Sequence, residues 1–250
     1  MLENKKITVI MSGGMDSTTL LYLARHKQSI PDMFENIKVL SINYGQKHKK
    51  ELEYAKALCK ELELDHKIVN IPEVKDLLTS SLTSDTQDIP EGHYEKESMK
   101  QTVVPNRNAI MLSIAYGYAV SNQSDFVLFG AHAGDHFIYP DCRPLFAEAL
   151  DVALQIGNEG FGNVKLLAPF INMTKGQICE LGQKLGVPYE KTWSCYKGEE
   201  RPCLRCGTCI ERTEAFSYVK KQDPLLTEQE WKEAVIRLVA AKEERKEDGR

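Results

Sequence analysis

Positive charge is not in excess in this 250-residue chain: 32 lysines and arginines face 36 aspartates and glutamates, a net −4 at neutral pH. Proteins that follow a phosphate backbone carry a basic excess or stripe, so no nucleic-acid partner is expected. Long apolar runs are missing too. Nothing is long enough to cross a membrane, Met1–Lys6 leads straight into a strand, and the expected setting is cytoplasmic, away from membranes. Two phosphate-binding signatures are absent. Without G-x-x-x-x-G-K-[ST] no Walker lysine reaches the outer phosphates, and without G-x-G-x-x-G there is no dinucleotide turn of the usual kind. A reducing setting argues against a disulfide framework, although seven cysteines are present. What remains is an ordinary core-forming composition, 42% hydrophobic and 27% charged, long enough for one α/β unit with an appendage.

The rest of the chain is organised around Val9–Leu20, VIMSGGMDSTTL. The apolar run Ile7–Met11 predicts a buried strand of a parallel sheet. Ser12, Gly13 and Gly14 then turn the chain, and Met15, Asp16, Ser17 and Thr18 lead into a helix. Glycines fold the backbone into a nest of N–H groups, and a helix start adds unpaired amides and the positive end of its dipole. Ser12, Ser17 and Thr18 contribute hydroxyl donors. The combination suits the pyrophosphate part of a nucleotide; the bland alternative is a plain turn with Asp16 or Ser17 as N-cap. In full and in context, SGGMDST resembles the PP-loop, S-G-G-x-D-S/T, of ATP pyrophosphatases. Those enzymes cleave ATP between its α and β phosphates and leave adenylate on the substrate. The resemblance implies an adenine nucleotide alpha-hydrolase-like fold, with ATP held by Ile10, Met11, Ser12, Gly13, Gly14, Met15, Asp16, Ser17 and Thr18.

Further along, Ile37–Tyr44 predicts a second strand, Lys47–Leu62 an amphipathic helix and His66–Ile71 a third strand. This rhythm predicts a Rossmann-like parallel sheet of about five strands with helices on both faces and right-handed crossovers. Ligands on such sheets lie at the carboxyl ends of the strands, which makes Asn43, Tyr44, Gly45 and Gln46 expected adenine contacts. Val74–Thr102 is polar and aperiodic, a long excursion with a lid as one use; His93 and Tyr94 within it read as solvated. Val104–Asn108 precedes a helix, Ala109–Val120, capped by Asn106 or Asn108. Arg107 at that helix start opposes the dipole, which points to an anion opposite it, and the phosphates of ATP are the expected one.

Asp125–Gly130 is the expected fourth strand, and His132, Asp135, His136, Tyr139, Asp141, Cys142 and Arg143 crowd beyond its carboxyl end. Gly134 argues for a loop, so hydrogen bonding to a polar heterocycle and phosphates is favoured over a metal trio. A helix at Arg143–Gly157, a fifth strand at Val164–Phe170 and a helix at Gly176–Leu185 capped by Thr174 follow. Lys175 shares the uncompensated position of Arg107, and lysines at this place in PP-loop enzymes contact ATP phosphates.

Cys195, Cys203, Cys206 and Cys209 give C-x7-C-x2-C-x2-C. Four thiolates so close suit one tetrahedral zinc, contributing on the order of 10 kcal/mol and leaving no open position for catalysis. Spacing alone leaves an iron–sulfur cluster open. Cys59 and Cys179 read as inert core. Glu228–Lys242 predicts a last helix, packed on the cysteine segment or a second subunit. The expected divisions are an ATP-binding α/β unit over 1–190, a zinc-binding and helical segment over 191–242 and a disordered charged tail over 243–250.

NYGQKHKKEL, VPNRN, GAHAGDHFIYPDCRP and the cysteine cluster together resemble the bacterial and archaeal 7-cyano-7-deazaguanine synthases, from about residue 6 to residue 220. The resemblance implies an ATP-dependent ligase that converts 7-carboxy-7-deazaguanine and ammonia to the nitrile. It implies one structural zinc rather than iron–sulfur, magnesium with ATP, small-molecule substrates and a homodimer. Asp16, Lys175, Arg107 and His132 are its expected catalytic residues. His132, Asp135, Tyr139, Asp141 and Arg143 are expected on the substrate, with Asp141 accepting from the guanine-like N1–H and 2-amino group. Arg143 or His132 would face the carboxylate. Beside the PP-loop unit and the zinc segment no glutaminase domain is expected, so the expected source is free ammonia or a separate donor protein. The rival readings are a tRNA-thiolating PP-loop enzyme, an enzyme attaching 7-carboxy-7-deazaguanine to another amine, and a nucleotide-sensing zinc module without turnover.

Overall fold

Short β-branched and leucine-rich runs pair side by side because each is apolar on both faces and cannot leave either in water. In the computed structural model, residues 5–26 and 36–247 are described. The order is β1 (Lys6–Ile10), α1 (Met15–Arg25), β2 (Asn36–Asn43), α2 (Lys50–Glu61), β3 (Asp65–Asn70) and a short α3 (Val74–Leu77). There follow α4 (Arg107–Ser121), β4 (Phe126–Leu128), α5 (Pro144–Gly157), β5 (Lys165–Leu167), α6 (Lys175–Lys184), α7 (Gly207–Tyr218) and α8 (Glu228–Glu247). The five strands form one parallel sheet in the order β3-β2-β1-β4-β5. Chain order reverses between β1 and β4, so the crevice beyond their carboxyl ends is the expected ligand site.

The pleat divides the core cleanly. Val39 and Leu128 face a cluster with Leu20, Leu21, Ala55, Leu58 and Ile178 from α1, α2 and α6. Their neighbours Leu40 and Val127 face Leu112, Ala115 and Tyr116 of α4, with Phe146 and Leu150 of α5 packed on them. Successive residues thus serve opposite faces, and both are covered by helices. Among the described residues no helix is long and apolar enough to cross a membrane.

Several local expectations are corrected. α1 begins at Met15, with Gly14 as an extended N-cap that makes no side-chain bond, so neither Asp16 nor Ser17 caps it. Asn106 is the N-cap residue of α4, as one of the two expected, but its side chain makes no capping bond, and Asn108 lies inside the first turn. Asn106 sits at φ +54 with no side-chain cap bond, and the Asn108 N–H donates to Asp141 Oδ2 at 2.9 Å. The excursion is not solvated throughout. Glu91 bridges to Cys206, the Gly92 N–H donates to the Arg205 carbonyl at 2.9 Å, and His93 is fully buried. α7 was not foreseen, and α8 runs on through residues 243–247, expected to be disordered. Ion pairs Lys96–Glu244 and Glu95–Arg245 tie that last turn to the excursion. Residues 248–250 of the expected tail lie outside the described residues.

Candidate active site

A cavity of about 240 Å³ opens at the carboxyl ends of β1 and β4, between the turn after β1 and the cysteine segment. That turn can form only with glycine. Gly13 has φ +91, and a Cβ there would lie 2.0 Å from the Glu51 carbonyl oxygen, an impossible approach. Its own carbonyl accepts from the Trp193 N–H at 2.9 Å, which locks the turn to the cysteine segment. Ser17 Oγ accepts from the Ser12 N–H at 3.2 Å and lies 3.1 Å from Ser12 Oγ. Hydroxyls and amides are therefore gathered at the start of α1, where its dipole favours an anion.

Beside this turn, five ionisable side chains meet. Lys175 Nζ lies 3.2 Å from Asp16 Oδ2 and 2.5 Å from Glu211 Oε2. His132 Nε2 lies 3.7, 3.6 and 3.8 Å from Asp16, Asp135 and Glu211. His132 Nδ1 accepts from the Gly134 N–H at 3.1 Å, which leaves Nε2 as the protonated nitrogen facing the acids. Burial opposes the charge on Lys175, but Asp16 and Glu211 outweigh it and hold its pKa well above the usual value. Burial raises the Glu211 carboxyl, against the pull of Lys175 and His132. Three carboxylates thus face one ammonium, and Asp16 Oδ1 is buried with no hydrogen-bond partner. Three carboxylates beside one ammonium leave this end of the cavity rich in acidic groups.

The opposite end of the cavity has the reverse character. Arg107, at the first position of α4, makes no ion pair within 4.0 Å among the described residues, and its Nε is buried without a partner. Its guanidinium lies 5.6 Å from the centre of the Tyr139 ring. Tyr139 Oη is 2.6 Å from Thr102 Oγ1 and 3.2 Å from Tyr196 Oη, and Tyr44, His48 and Glu51 complete this end. A buried cation without a counter-ion is costly unless a ligand supplies one.

The cysteine cluster forms the third part. Its four Sγ atoms lie within 4.8 Å of one another, with Cys203–Cys209 at 3.9 Å and Cys206–Cys209 at 3.5 Å. Thiolates 2.3 Å from one tetrahedral ion sit about 3.8 Å apart, so the set fits a single ion. An iron–sulfur cluster places its ligands on different irons and spreads them wider. Backbone N–H groups of Cys203 and Cys206 point at Cys195 and Cys203 sulfurs at 3.4 and 3.3 Å, a polar surround that steadies thiolates.

Residues 6–220 match the family model described as "Queuosine biosynthesis protein QueC". The chain belongs to the QueC family. It is 49% identical over 219 residues to a 7-cyano-7-deazaguanine synthase of Brucella ovis, covering 88% of this chain and 92% of that one. A synthase of the same name from Allorhizobium ampelinum is 48% identical over 221 residues, covering 88% and 91%. Among solved structures, the U34-tRNA thiolase NcsA of Methanococcus maripaludis aligns with a TM-score of 0.44 at 18% identity, over 87% of this chain and 67% of that one. The NMN synthetase of Francisella tularensis aligns with a TM-score of 0.46 at 16% identity, over 95% and 83%. Likeness at that level carries no weight for fold detail or function.

In this QueC-family chain, Ile10, Met11, Ser12, Gly14, Met15, Asp16, Ser17, Tyr44, Arg107, Asp135, Tyr139 and Lys175 line the cavity together. Others that the sequence singled out do not. Gly13 shapes the turn from behind, and Thr18 is fully buried beneath it. Gly45, at φ +89, packs toward Pro72 and Lys75. Gln46 is buried, accepting from the Tyr44 N–H and donating to Glu51. His132 stands behind the acids rather than on the wall. Asp141 caps α4, and Arg143 is exposed, its Nε donating to the His136 carbonyl at 2.9 Å. Neither reaches the cavity, because the turn after β4 folds their side chains away.

The sequence reading missed Glu211, Glu51, His48, Trp193, Tyr196 and Tyr94, all of which line the cavity. Tyr94 was expected in solvent; instead its hydroxyl donates to Glu214 at 2.7 Å beneath the cavity rim. A usable signal existed for some. His48 and Glu51 are three apart in the NYGQKHKKEL segment, and Glu211 is an acid inside an otherwise core-like run after Cys209.

Proposed function

We propose that this protein joins 7-carboxy-7-deazaguanine and ammonia, at the expense of ATP, to give 7-cyano-7-deazaguanine. Family membership supports the reading, and one observation carries it. The phosphate-binding turn, the Lys175 cluster and Arg107, whose Nε has no hydrogen-bond partner, share one cavity.

A carboxylate is a poor electrophile because its oxygen leaves badly. Transfer of adenylate makes an acyl-adenylate, which ammonia attacks to give the amide; a second activation, at the amide oxygen, and loss of adenylate leave the nitrile. The protein's part is positioning and charge neutralisation. Ser12, Ser17 and the amides at the start of α1 hold the outer phosphates, with Lys175 reaching them. Asp16, Glu211 and Asp135 hold the magnesium that arrives with ATP. Arg107, with Tyr139 beside it, takes the substrate carboxylate, the role first expected of Arg143 or His132. The cysteine cluster holds zinc, which supplies no chemistry and fixes the segment carrying Trp193, Tyr196 and Glu211. The division into an α/β unit over 1–190 and a zinc-binding segment over 191–242 is kept as part of this reading. So are a cytoplasmic setting without nucleic acid, and a homodimer. Exposed Leu145, Val152 and Ile156 on α5 favour the last.

The test is incubation with 7-carboxy-7-deazaguanine, ATP, magnesium and ammonium, with the product weighed by mass spectrometry. The nitrile, with AMP and pyrophosphate released only when substrate is present, is the expected result. AMP release without a deazaguanine product, or a product retaining another amine, overturns the reading.

A further inference from the structure

Of the four acids lining the cavity among the described residues, three crowd around Lys175 and His132; Glu51 of α2 stands apart. Its surroundings orient it. Gln46 Nε2 donates to Glu51 Oε1 at 3.2 Å, and His48 Nε2 lies 3.4 Å from the same oxygen. Gln46 is itself fixed, accepting from the Tyr44 N–H at 3.0 Å and donating to the Ile42 carbonyl at 3.3 Å. His48 packs against the Tyr196 ring, with centroids 5.2 Å apart. With Oε1 turned toward two nitrogens, Oε2 has no hydrogen-bond partner among the described residues.

We propose that Glu51 is the base that accepts the proton of ammonia as it attacks the activated carboxyl. The inference rests on the functional reading above. In that step a C–N bond forms between ammonia and the carboxyl carbon, one N–H proton passes to Glu51 Oε2, and the C–O bond to adenylate breaks, AMP leaving with the electron pair. The amide remains, and Glu51 returns its proton to solvent. Neither of the other routes suits the step. The acids at the Lys175 end are engaged by Lys175 and His132, and Arg107 repels ammonium, so the nucleophile enters neutral and must shed its proton inside. The groups that face Glu51 are His48, Arg107 and Tyr44. Burial pushes Glu51 up to about 8, against the pull of Gln46 and Arg107, and burial with Arg107 pushes His48 down to about 3. A carboxyl titrating near the working pH is well matched to this duty.

Glu51→Gln keeps the shape and removes the base. With 7-carboxy-7-deazaguanine and ATP but no ammonia, exchange of labelled pyrophosphate into ATP should stay within threefold of wild type, which also reports that the variant folds. With ammonium added, amide and nitrile formation should fall at least a hundredfold. At fixed free ammonia the wild-type rate should rise with pH through a limb near 8 that the variant lacks. Undiminished product, or exchange and product falling equally, overturns the proposal. Absence of exchange in the wild type is a different result: it removes the functional reading first and this inference with it.

Discussion

The two walls of the cavity are held in place by opposite physics. On the sheet side the phosphate-binding turn follows β1, whose Ile7 and Val9 are fully buried within a continuous apolar cluster shared by α1, α2 and α6. Burial at roughly 25 cal/mol per Å² positions that wall without help from any ligand. On the other side, Trp193 and three of the cysteines share a separate apolar cluster with Tyr44, Leu82, Ile89 and Val104, and the clusters that hold α8 gather only a few residues each. Polar groups are buried in their place. Arg212 pairs with Asp223 at 2.6 Å and donates to Thr192 Oγ1 at 2.7 Å and the Tyr189 carbonyl at 2.8 Å. The thiolates of four cysteines complete the frame. One wall is therefore carried by the main core of the sheet, whereas the other joins a smaller apolar cluster to four sulfurs that could hold a metal ion.

Removing the metal should break the comparison most severely. A structural ion of this kind contributes on the order of 10 kcal/mol. Stripping it, or making Cys206→Ser, should abolish product formation by releasing Trp193, Tyr196 and Glu211 from the wall. Far-UV circular dichroism should retain most of its signal, because the sheet and its five covering helices stand on their own core. Metal analysis of the intact protein should return one zinc per chain. Activity that survives a metal-free preparation would show that both walls are self-supporting.

The charged ends of the cavity sharpen the contrast through two substitutions with opposite side effects. Lys175→Met should lower kcat by about 3 kcal/mol, a hundredfold or more, by removing a donor from the developing phosphate charge. It also leaves Asp16, Asp135 and Glu211 crowded without their ammonium. Glu211, already raised by burial, would titrate higher still. A carboxyl raised in the fold contributes stability at acid pH and loses it as pH rises. The variant should therefore match wild type most closely at low pH, fall behind toward neutrality, and regain ground with added magnesium. Arg107→Met should raise the KM for the carboxylate substrate at least tenfold yet leave Tm unchanged or higher. Among the described residues no acid lies within 4.0 Å of that guanidinium, and only the more distant pull on Glu51 is lost. A lower Tm for Arg107→Met would mean that the arginine serves the fold rather than the ligand.

Much of this was legible because the sheet side writes its design locally. The turn SGGMDST, the alternation of strands and helices and the placing of Lys175 and Arg107 at helix starts are contiguous features, and each lands at the cavity. The cysteine spacing was equally local, and the four sulfurs meet. What escaped depends on contacts between distant segments. Glu211 matters because α7 brings it 2.5 Å from Lys175, which lies 36 residues earlier. Tyr94 reaches the cavity because the excursion docks on the cysteine segment through Glu91, Gly92 and their partners Cys206 and Arg205. No periodicity marks such docking in advance. The start of α1 was placed too late for a different reason: Gly14 begins the helix without any capping side chain to announce it.

Asp141 gives the smallest expected effect and the cleanest separation of fold from chemistry. Position in the turn after β4 suggested a carboxylate aimed at the donor edge of a guanine-like ring. Instead its Oδ2 accepts from the Asn108 N–H at 2.9 Å, and its carbonyl accepts from Asn108 Nδ2 at 2.9 Å, across 33 residues of sequence. That carboxylate satisfies an orphan amide in the first turn of α4 and sits at the positive end of its dipole. Asp141→Ala should cost about 1 kcal/mol of stability, as loss of an N-cap does. Because α4 carries Arg107, the helix start would also loosen, raising the KM for the acid by at most about threefold while kcat holds. Discrimination between guanine-like and hypoxanthine-like acids should not change. If it collapses, the carboxylate reads the ring after all, and its bond to Asn108 is exchanged when substrate binds.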